Sequence, residues 1–256
     1  MTLIQRIIFA LFVTCTAFGA CTRKSSELPP PNAVDDGAEP AVATSGRFTT
    51  IRVDMRTSRL ELFLRDETGR AFNRFDRLAA WLAGRNQQLI FAMNAGMYNP
   101  DFSPVGLLVE GGREISPLNA ADGTGNFFLK PNGVFFVSAS GPGILETKEY
   151  TALAPGVRLA TQSGPLLLRN GVINPAFDAA STSRLIRNGV GISKDTILFV
   201  ISEQPINFYE FALFFRDELQ CRDALYLDGV VSSLFSVKLR RNDSRADLGP
   251  IIGVIR

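Results

Sequence analysis

Leu166-Leu167-Leu168-Arg169-Asn170-Gly171-Val172-Ile173 sets two apolar runs on either side of an Asn-Gly step. Asn-Gly tolerates the successive positive dihedrals of a two-residue turn, so this stretch predicts an antiparallel hairpin. Pro131-Asn132-Gly133, between apolar residues 127–129 and 134–137, predicts a second. Residues 49–55 and 60–64 alternate or run apolar around 56–59, as two strands of a further hairpin would, and 89–93, 105–109, 197–201, 224–227 and 251–255 also read as strands. Two segments carry the helical period instead. Phe75, Leu78, Ala79 and Leu82 lie between Asn73 as the expected cap and Gly84 as the expected stop. Phe208, Phe211, Ala212, Phe215 and Leu219 follow Asn207, with Glu210 at the capping-box position. Several strands, at least two packed helices and no regular strand–helix alternation give an α+β class with a mainly antiparallel sheet.

The chain has 256 residues, 46% hydrophobic and 20% charged, a balance that fills one core. With 27 basic against 25 acidic side chains, no basic surface is offered to nucleic acid, which is excluded as a partner. Histidine is absent, which removes Ser-His-Asp chemistry and the commonest zinc ligand. Cys15, Cys21 and Cys221 stand too far apart for a zinc knuckle, so no metal site is assigned. No cofactor is expected, with a bound calcium or magnesium ion left open. Catalysis would rest on carboxylates, arginine, tyrosine, amides and backbone groups.

Arg6, the apolar run 7–13 and the small residues Ala17, Gly19 and Ala20 before Cys21 have the layout of a secretory leader. Cys21 in that position resembles a bacterial lipobox, with Phe18 where leucine is usual. Residues 1–20 are therefore expected to be cleaved, Cys21 to be lipidated, 21–46 to form a polar tether and 47–256 to fold. The membrane is then a partner through the lipid anchor. In a Gram-negative host, Thr22 in place of an aspartate points to the outer membrane, facing the periplasm. Cys221 would be left as a small buried hydrophobe.

Polar residues gather where apolar strands end in glycine. The stretches are Met93-Asn94-Ala95-Gly96-Met97-Tyr98, residues 125–133, Gln162-Ser163-Gly164-Pro165, Arg187-Asn188-Gly189-Val190-Gly191 and Tyr226-Leu227-Asp228-Gly229. Each alone is ordinary turn punctuation. Five such blocks in this order resemble the phosphodiester glycosidase family over about residues 88–255, and the chain is most similar to its bacterial envelope branch. It departs from the family in carrying Val230-Val231 where further glycines commonly precede serine.

The resemblance implies hydrolysis of a sugar-1-phosphodiester, of N-acetylglucosamine type or from another envelope glycan. Asp228 is the first choice as acting carboxylate, Glu203 the second and Asp122 a weaker third; Arg187 would hold the phosphodiester. Asn94, Gln162, Ser163 and Asn188 would hydrogen-bond the substrate, and Gly96, Gly164, Gly189 and Gly229 would let it approach the backbone. Turn-capping by Asp228, a solvated Glu203 and a structural ion pair for Arg187 are the plainer alternatives. A catalytically silent lipoprotein that binds polysaccharide or a partner is the rival function, because activity belongs to the site rather than the scaffold. Mass spectrometry of the mature N-terminus is expected to find a lipidated Cys21, and Cys21→Ser to release the protein from membranes; unchanged partitioning would contradict the anchor.

Overall fold

The computed structural model describes residues 39–151 and 156–256; the leader, Cys21 and most of the expected tether lie outside them. Among the described residues the architecture is α+β, with every named strand pair antiparallel. The largest sheet has seven strands in the order Ala41–Ser45, Phe48–Asp54, Thr196–Ser202, Asn188–Ser193, Asp223–Tyr226, Leu166–Arg169, Val172–Ile173. A five-stranded sheet runs Arg241–Asn242, Leu234–Ser236, Leu89–Asn94, Ile251–Ile255, Arg59–Phe63. The other five-stranded sheet runs Arg113–Ser116, Leu108–Glu110, Val157–Ser163, Gly133–Ser138, Gly141–Glu146. One apolar core joins all three, with Ile51 and Phe199 from the first, Leu60 and Phe91 from the second, and Leu108 and Phe135 from the third. Phe91 and Phe135 both pack on the Phe199 ring, at 5.2 and 6.0 Å between centroids.

The 166–173 hairpin forms as its turn chemistry requires. Asn170 and Gly171 take φ of 53° and 79°, and Leu168 pairs with Ile173. Asn207 closes a capping box, accepting from the Glu210 amide at 2.9 Å while Glu210 Oε2 accepts from the Asn207 amide at 3.2 Å. The helix Phe208–Leu213 continues into a wider turn at Phe214–Glu218, burying Phe211, Ala212 and Phe215 against the seven-stranded sheet. Cys221 is buried in that cluster, and burial pushes its thiol up to about 12.

Four expectations are corrected. Residues 41–45, assigned to the tether, form an edge strand held through pairing with 48–52, so the folded part begins earlier. Residues 49–55 and 60–64 are strands but not a hairpin: Phe48–Asp54 pairs with Thr196–Ser202 and Arg59–Phe63 with Ile251–Ile255, in different sheets. Pro131-Asn132-Gly133 does not join two strands, because Asn126–Phe128 is a 3₁₀ turn. Asn132 is buried there, donating to the Phe127 carbonyl at 3.0 Å and accepting from the Thr147 hydroxyl at 2.9 Å. Asn73 does not cap the helix Phe75–Ala83; it sits at φ 59° and donates to the Leu248 carbonyl at 3.2 Å.

Asn207 also donates to the carbonyls of Ala179 and Ser181, at 3.1 and 3.2 Å. Asn207→Ala is therefore expected to cost about 1–2 kcal/mol, read as a lower denaturation midpoint at unchanged slope; an unchanged midpoint would contradict the role of the cap.

Candidate active site

Strand ends from two sheets meet at one place. Leu89–Asn94 ends there, Asn188–Ser193 begins there, Asp228 and Gly229 follow Asp223–Tyr226, and Ser232 and Ser233 lead into Leu234–Ser236. Register brings them together, because Gly189 pairs with Tyr226 and Leu234 with Met93. The buried amides of Asn94 and Asn188 then bond each other. Asn188 Nδ2 donates to Asn94 Oδ1 at 3.1 Å and to the Asn94 carbonyl at 3.0 Å. Asn94 Nδ2 donates to the Asp228 carbonyl at 2.6 Å, and Asn94 Oδ1 accepts from the Ser233 amide at 2.9 Å. Ser232 Oγ donates to Asn188 Oδ1 at 3.0 Å. The turn carrying Asp228 is thus fastened at both ends.

Two opposite charges stand here without partnering each other, Arg187 buried and Asp228 half-buried. Arg187 is 1% exposed; Nε donates to the Ile206 carbonyl at 2.8 Å and Nη2 to the Ser183 carbonyl at 2.9 Å, while Nη1 has no partner. Its guanidinium lies 3.8 Å over the Phe208 ring and 5.5 Å from the Tyr226 ring. Among the described residues no carboxylate lies within ion-pair reach of it. Burial draws the Arg187 pKa down. Asp228 is driven the other way: burial raises its carboxyl from 3.8 to about 6, opposed only by a hydrogen bond from the Val230 amide. Tyr226 feels both charges, and its buried hydroxyl has no hydrogen-bond partner of good geometry. Desolvation lifts that phenol to about 12, with Asp228 adding to the rise and Arg187 working against it.

Glu110 is a second perturbed carboxylate, half-buried, raised to about 7 by burial, with Oε1 unpartnered. It ends the strand Leu108–Glu110, where the Leu64 backbone and then Arg113 work against that rise, and no other orphaned polar group shares its site. A perturbed acid beside a perturbed base and an unpaired hydroxyl marks chemistry more strongly than a perturbed acid alone. Two concavities lie elsewhere, about 860 Å³ between the 43–48 turn and Phe214, and about 580 Å³ around Arg169 and Asn174. Neither is lined by an orphaned buried polar atom, so chemistry rather than hollow volume picks the site.

The other expected residues separate clearly. Glu203 Oε1 accepts from Thr49 Oγ1 at 2.7 Å and from Arg241 Nη1 at 2.6 Å, an ion pair extended to Asp243. Its charge is thus paired, unlike that of Asp228, which ranks it behind Asp228 as the acting carboxylate. Asp122 is 97% exposed in its side chain, with Lys130 at 3.9 Å, and is no buried acid. Gln162 is saturated by protein, accepting from Leu107 and Asn119 amides and donating to the Asn119 carbonyl and Thr147 hydroxyl. It fixes loops and has nothing left for a ligand. Asn94 and Asn188 are likewise spent on the turn. Ser163 is fully buried with an unpartnered hydroxyl, at the end of Val157–Ser163.

The glycines admit chain rather than ligand. A Cβ on Gly164 would stand 2.6 Å from the Phe127 carbonyl, and on Gly189 2.9 Å from that of Leu225; on Gly96 it would strike the Gln162 carbonyl. Only Gly229 opens space within the site, where a Cβ would collide with the Tyr226 hydroxyl. Arg187 is too deep for an open phosphate clamp, so its charge reaches the site through Nη1 and Tyr226. Sequence reasoning missed Tyr226 as a functional group, although it stood in a quoted block. Tyr98, as able from its place before Pro100 to shape that loop as to touch ligand, donates to the Asp247 carbonyl at 2.6 Å, and its phenol is raised to about 12 by burial, then by Asp228 and Asp247.

Residues 87–255 match the family model described as phosphodiester glycosidase. The chain belongs to the phosphodiester glycosidase family. It is 38% identical over 184 residues to the Escherichia coli K12 protein YigE, covering 72% of each chain. Its fold is similar to the zebrafish N-acetylglucosamine-1-phosphodiester α-N-acetylglucosaminidase catalytic domain, a structure auto-inhibited by its pro-peptide. There the TM-score is 0.59 and the identity 15%, over 84% of this chain and 81% of that one. A putative exported protein of Burkholderia pseudomallei aligns at a TM-score of 0.48 and 12% identity, over 84% of this chain and 75% of that one.

Placing an acid in this family's fold without a cation beside it has a cost in stability. The Asp228 pKa of about 6 lies above its ordinary 3.8, so the folded state favours the protonated form. Stability is lost as pH rises from 3.8 through 6, and the penalty is complete above that range. Asp228→Asn is expected to stabilise the fold at pH 8 by up to about 3 kcal/mol and to lose this advantage near pH 4. Equal midpoints at both pH values would show that the carboxyl is not perturbed.

Proposed function

We propose that this protein hydrolyses a sugar-1-phosphodiester, cleaving the bond between the anomeric carbon and the phosphate oxygen. The observation that carries the reading is the buried, unpaired Arg187 cation separated by Tyr226 from the half-buried, unpaired Asp228 carboxylate. Leaving a cation unpaired in the interior is costly, and an incoming phosphodiester anion offers the missing charge. Arg187 is too deep to touch that anion, so its charge acts on it through Tyr226, whose hydroxyl is the unused donor. Ionised Asp228 stabilises positive charge on the sugar ring and takes up the proton released by the attacking water. The water oxygen joins the anomeric carbon, and the phosphomonoester departs with the bonding electrons. A phosphate ester leaves readily, so one carboxylate and one cation can serve where two carboxyl groups are usual.

N-acetylglucosamine is the first sugar to test, because the zebrafish relative is named for acting on it. The leader layout supports export, with Cys21 as the lipid anchor to the envelope and, in a Gram-negative host, the periplasmic face of the outer membrane. Asp228→Asn is expected to lower kcat/KM on an N-acetylglucosamine-1-phosphodiester by at least about 100-fold with the fold intact. The wild-type rate is expected to fall below pH 6, as the carboxylate protonates, and the variant to lack that limb. Full activity in Asp228→Asn would overturn the assignment.

A further inference from the structure

Four large hydrophobic side chains are exposed among the described residues, Val172, Leu185, Val230 and Val237. Two of them border the proposed site. Val230 is 78% exposed in the turn Gly229–Val231, which begins immediately after Asp228. Leu185 is 42% exposed, two residues before Arg187. Ser232 Oγ donates to the Ile186 carbonyl at 3.2 Å, which ties the Val230 turn to the Leu185 segment. The direction of Val230 is fixed by its neighbour, since Val231 packs inward on the Phe72 and Phe75 cluster.

The polar side chains at the junction beneath the Val230 turn are already consumed. Asn94, Asn188 and Ser232 bond one another and the backbone, which leaves them no role in reading the hydroxyls of an esterified alcohol. An oriented apolar pair beside exhausted polar groups selects an apolar ligand, because burying a valine or leucine against it is favourable while an unpaired hydroxyl would be penalised. We propose that the alcohol esterified to the phosphate is apolar, a long-chain alkyl or lipid alcohol, seated against Val230 and Leu185. This rests on the phosphodiester hydrolysis proposed above and adds the class of the leaving group.

The test compares the n-octyl and methyl diesters of N-acetylglucosamine 1-phosphate, with the octyl ester below its micelle concentration. Wild-type protein is expected to favour the octyl ester in kcat/KM by about tenfold or more. Val230→Ser and Leu185→Ser are each expected to bring that ratio towards one. Val172→Ser, which alters a valine 66% exposed outside the site, is expected to keep it. A wild-type ratio near one, or an equal fall in all three variants, would overturn the proposal. If neither ester is cleaved, hydrolysis of this diester class fails separately, and calorimetric binding of the same two esters decides the leaving-group question. Tighter octyl binding that Val230→Ser abolishes supports the apolar seat, whereas equal or absent binding refutes it.

Discussion

The reciprocal amide bond between Asn94 and Asn188 is the constraint on which the site depends. Each residue terminates a strand of a different sheet, and each is essentially inaccessible, at 1% and 0% exposure. A buried amide must satisfy a carbonyl and an amino group together, and these two do so from one another, the Asp228 carbonyl, the Ser233 amide and the Ser232 hydroxyl. Removing either amide would strand several of those groups, so the desolvation penalty falls on the junction as a whole. Aspartate could not replace asparagine there, because it has no N–H for the Asp228 carbonyl. The sheets are thereby fixed at the point where the Asp228 turn leaves, and the position of the carboxyl follows.

Elements whose determinants are local were readable in the sequence. The 166–173 hairpin needs only Asn170 and Gly171, and the helix at Phe208 needs only Asn207 and Glu210. Val157–Ser163 was missed because Arg158, Thr161, Gln162 and Ser163 interrupt its apolar period, although its last five residues are buried. Gln162 is tolerable there because Leu107, Asn119 and Thr147, tens of residues away, complete its hydrogen bonds. The same distance explains why Gln162 and Asn94 read as free ligands when they are saturated. Phe48–Asp54 and Arg59–Phe63 displayed their strand periods openly, but a period does not name a partner, and the two joined different sheets. Strand-end placement did single out Arg187 and Asp228. What it could not supply was Tyr226 between them, since alternation along Asp223–Tyr226 gives that ring no mark distinct from an ordinary core aromatic.

Three carboxylates show how surroundings divide one functional group into different roles. Glu203 has Arg241 at 2.6 Å, a paired and partly solvated state in which its charge is held for structure. Glu110 and Asp228 lack such a partner, and burial raises both. Glu110 stands at the end of an inner strand, opposite Arg113. Asp228 shares its surroundings with a cation, a free phenol and a glycine at which even a methyl group would strike that phenol. The pKa alone would not separate the last two; the neighbouring unsatisfied groups do.

Keeping Arg187 and Asp228 apart has a physical logic that a direct ion pair would lack. If the two met, each would neutralise the other, the acid would fall below its usual range and neither charge would be available to a ligand. Tyr226 prevents this while adding little charge of its own, because its phenol stays protonated up to about 12. The Phe208 face and the carbonyls of Ser183 and Ile206 hold the guanidinium in place without cancelling it. The interior thus bears two unrelieved charges in the free protein, and an anion carrying an electron-poor sugar carbon relieves both at once. Affinity for that ligand and the instability of the empty site are two expressions of the same electrostatic arrangement, so substitutions that relax the site by removing a charge should weaken binding as they stabilise the fold.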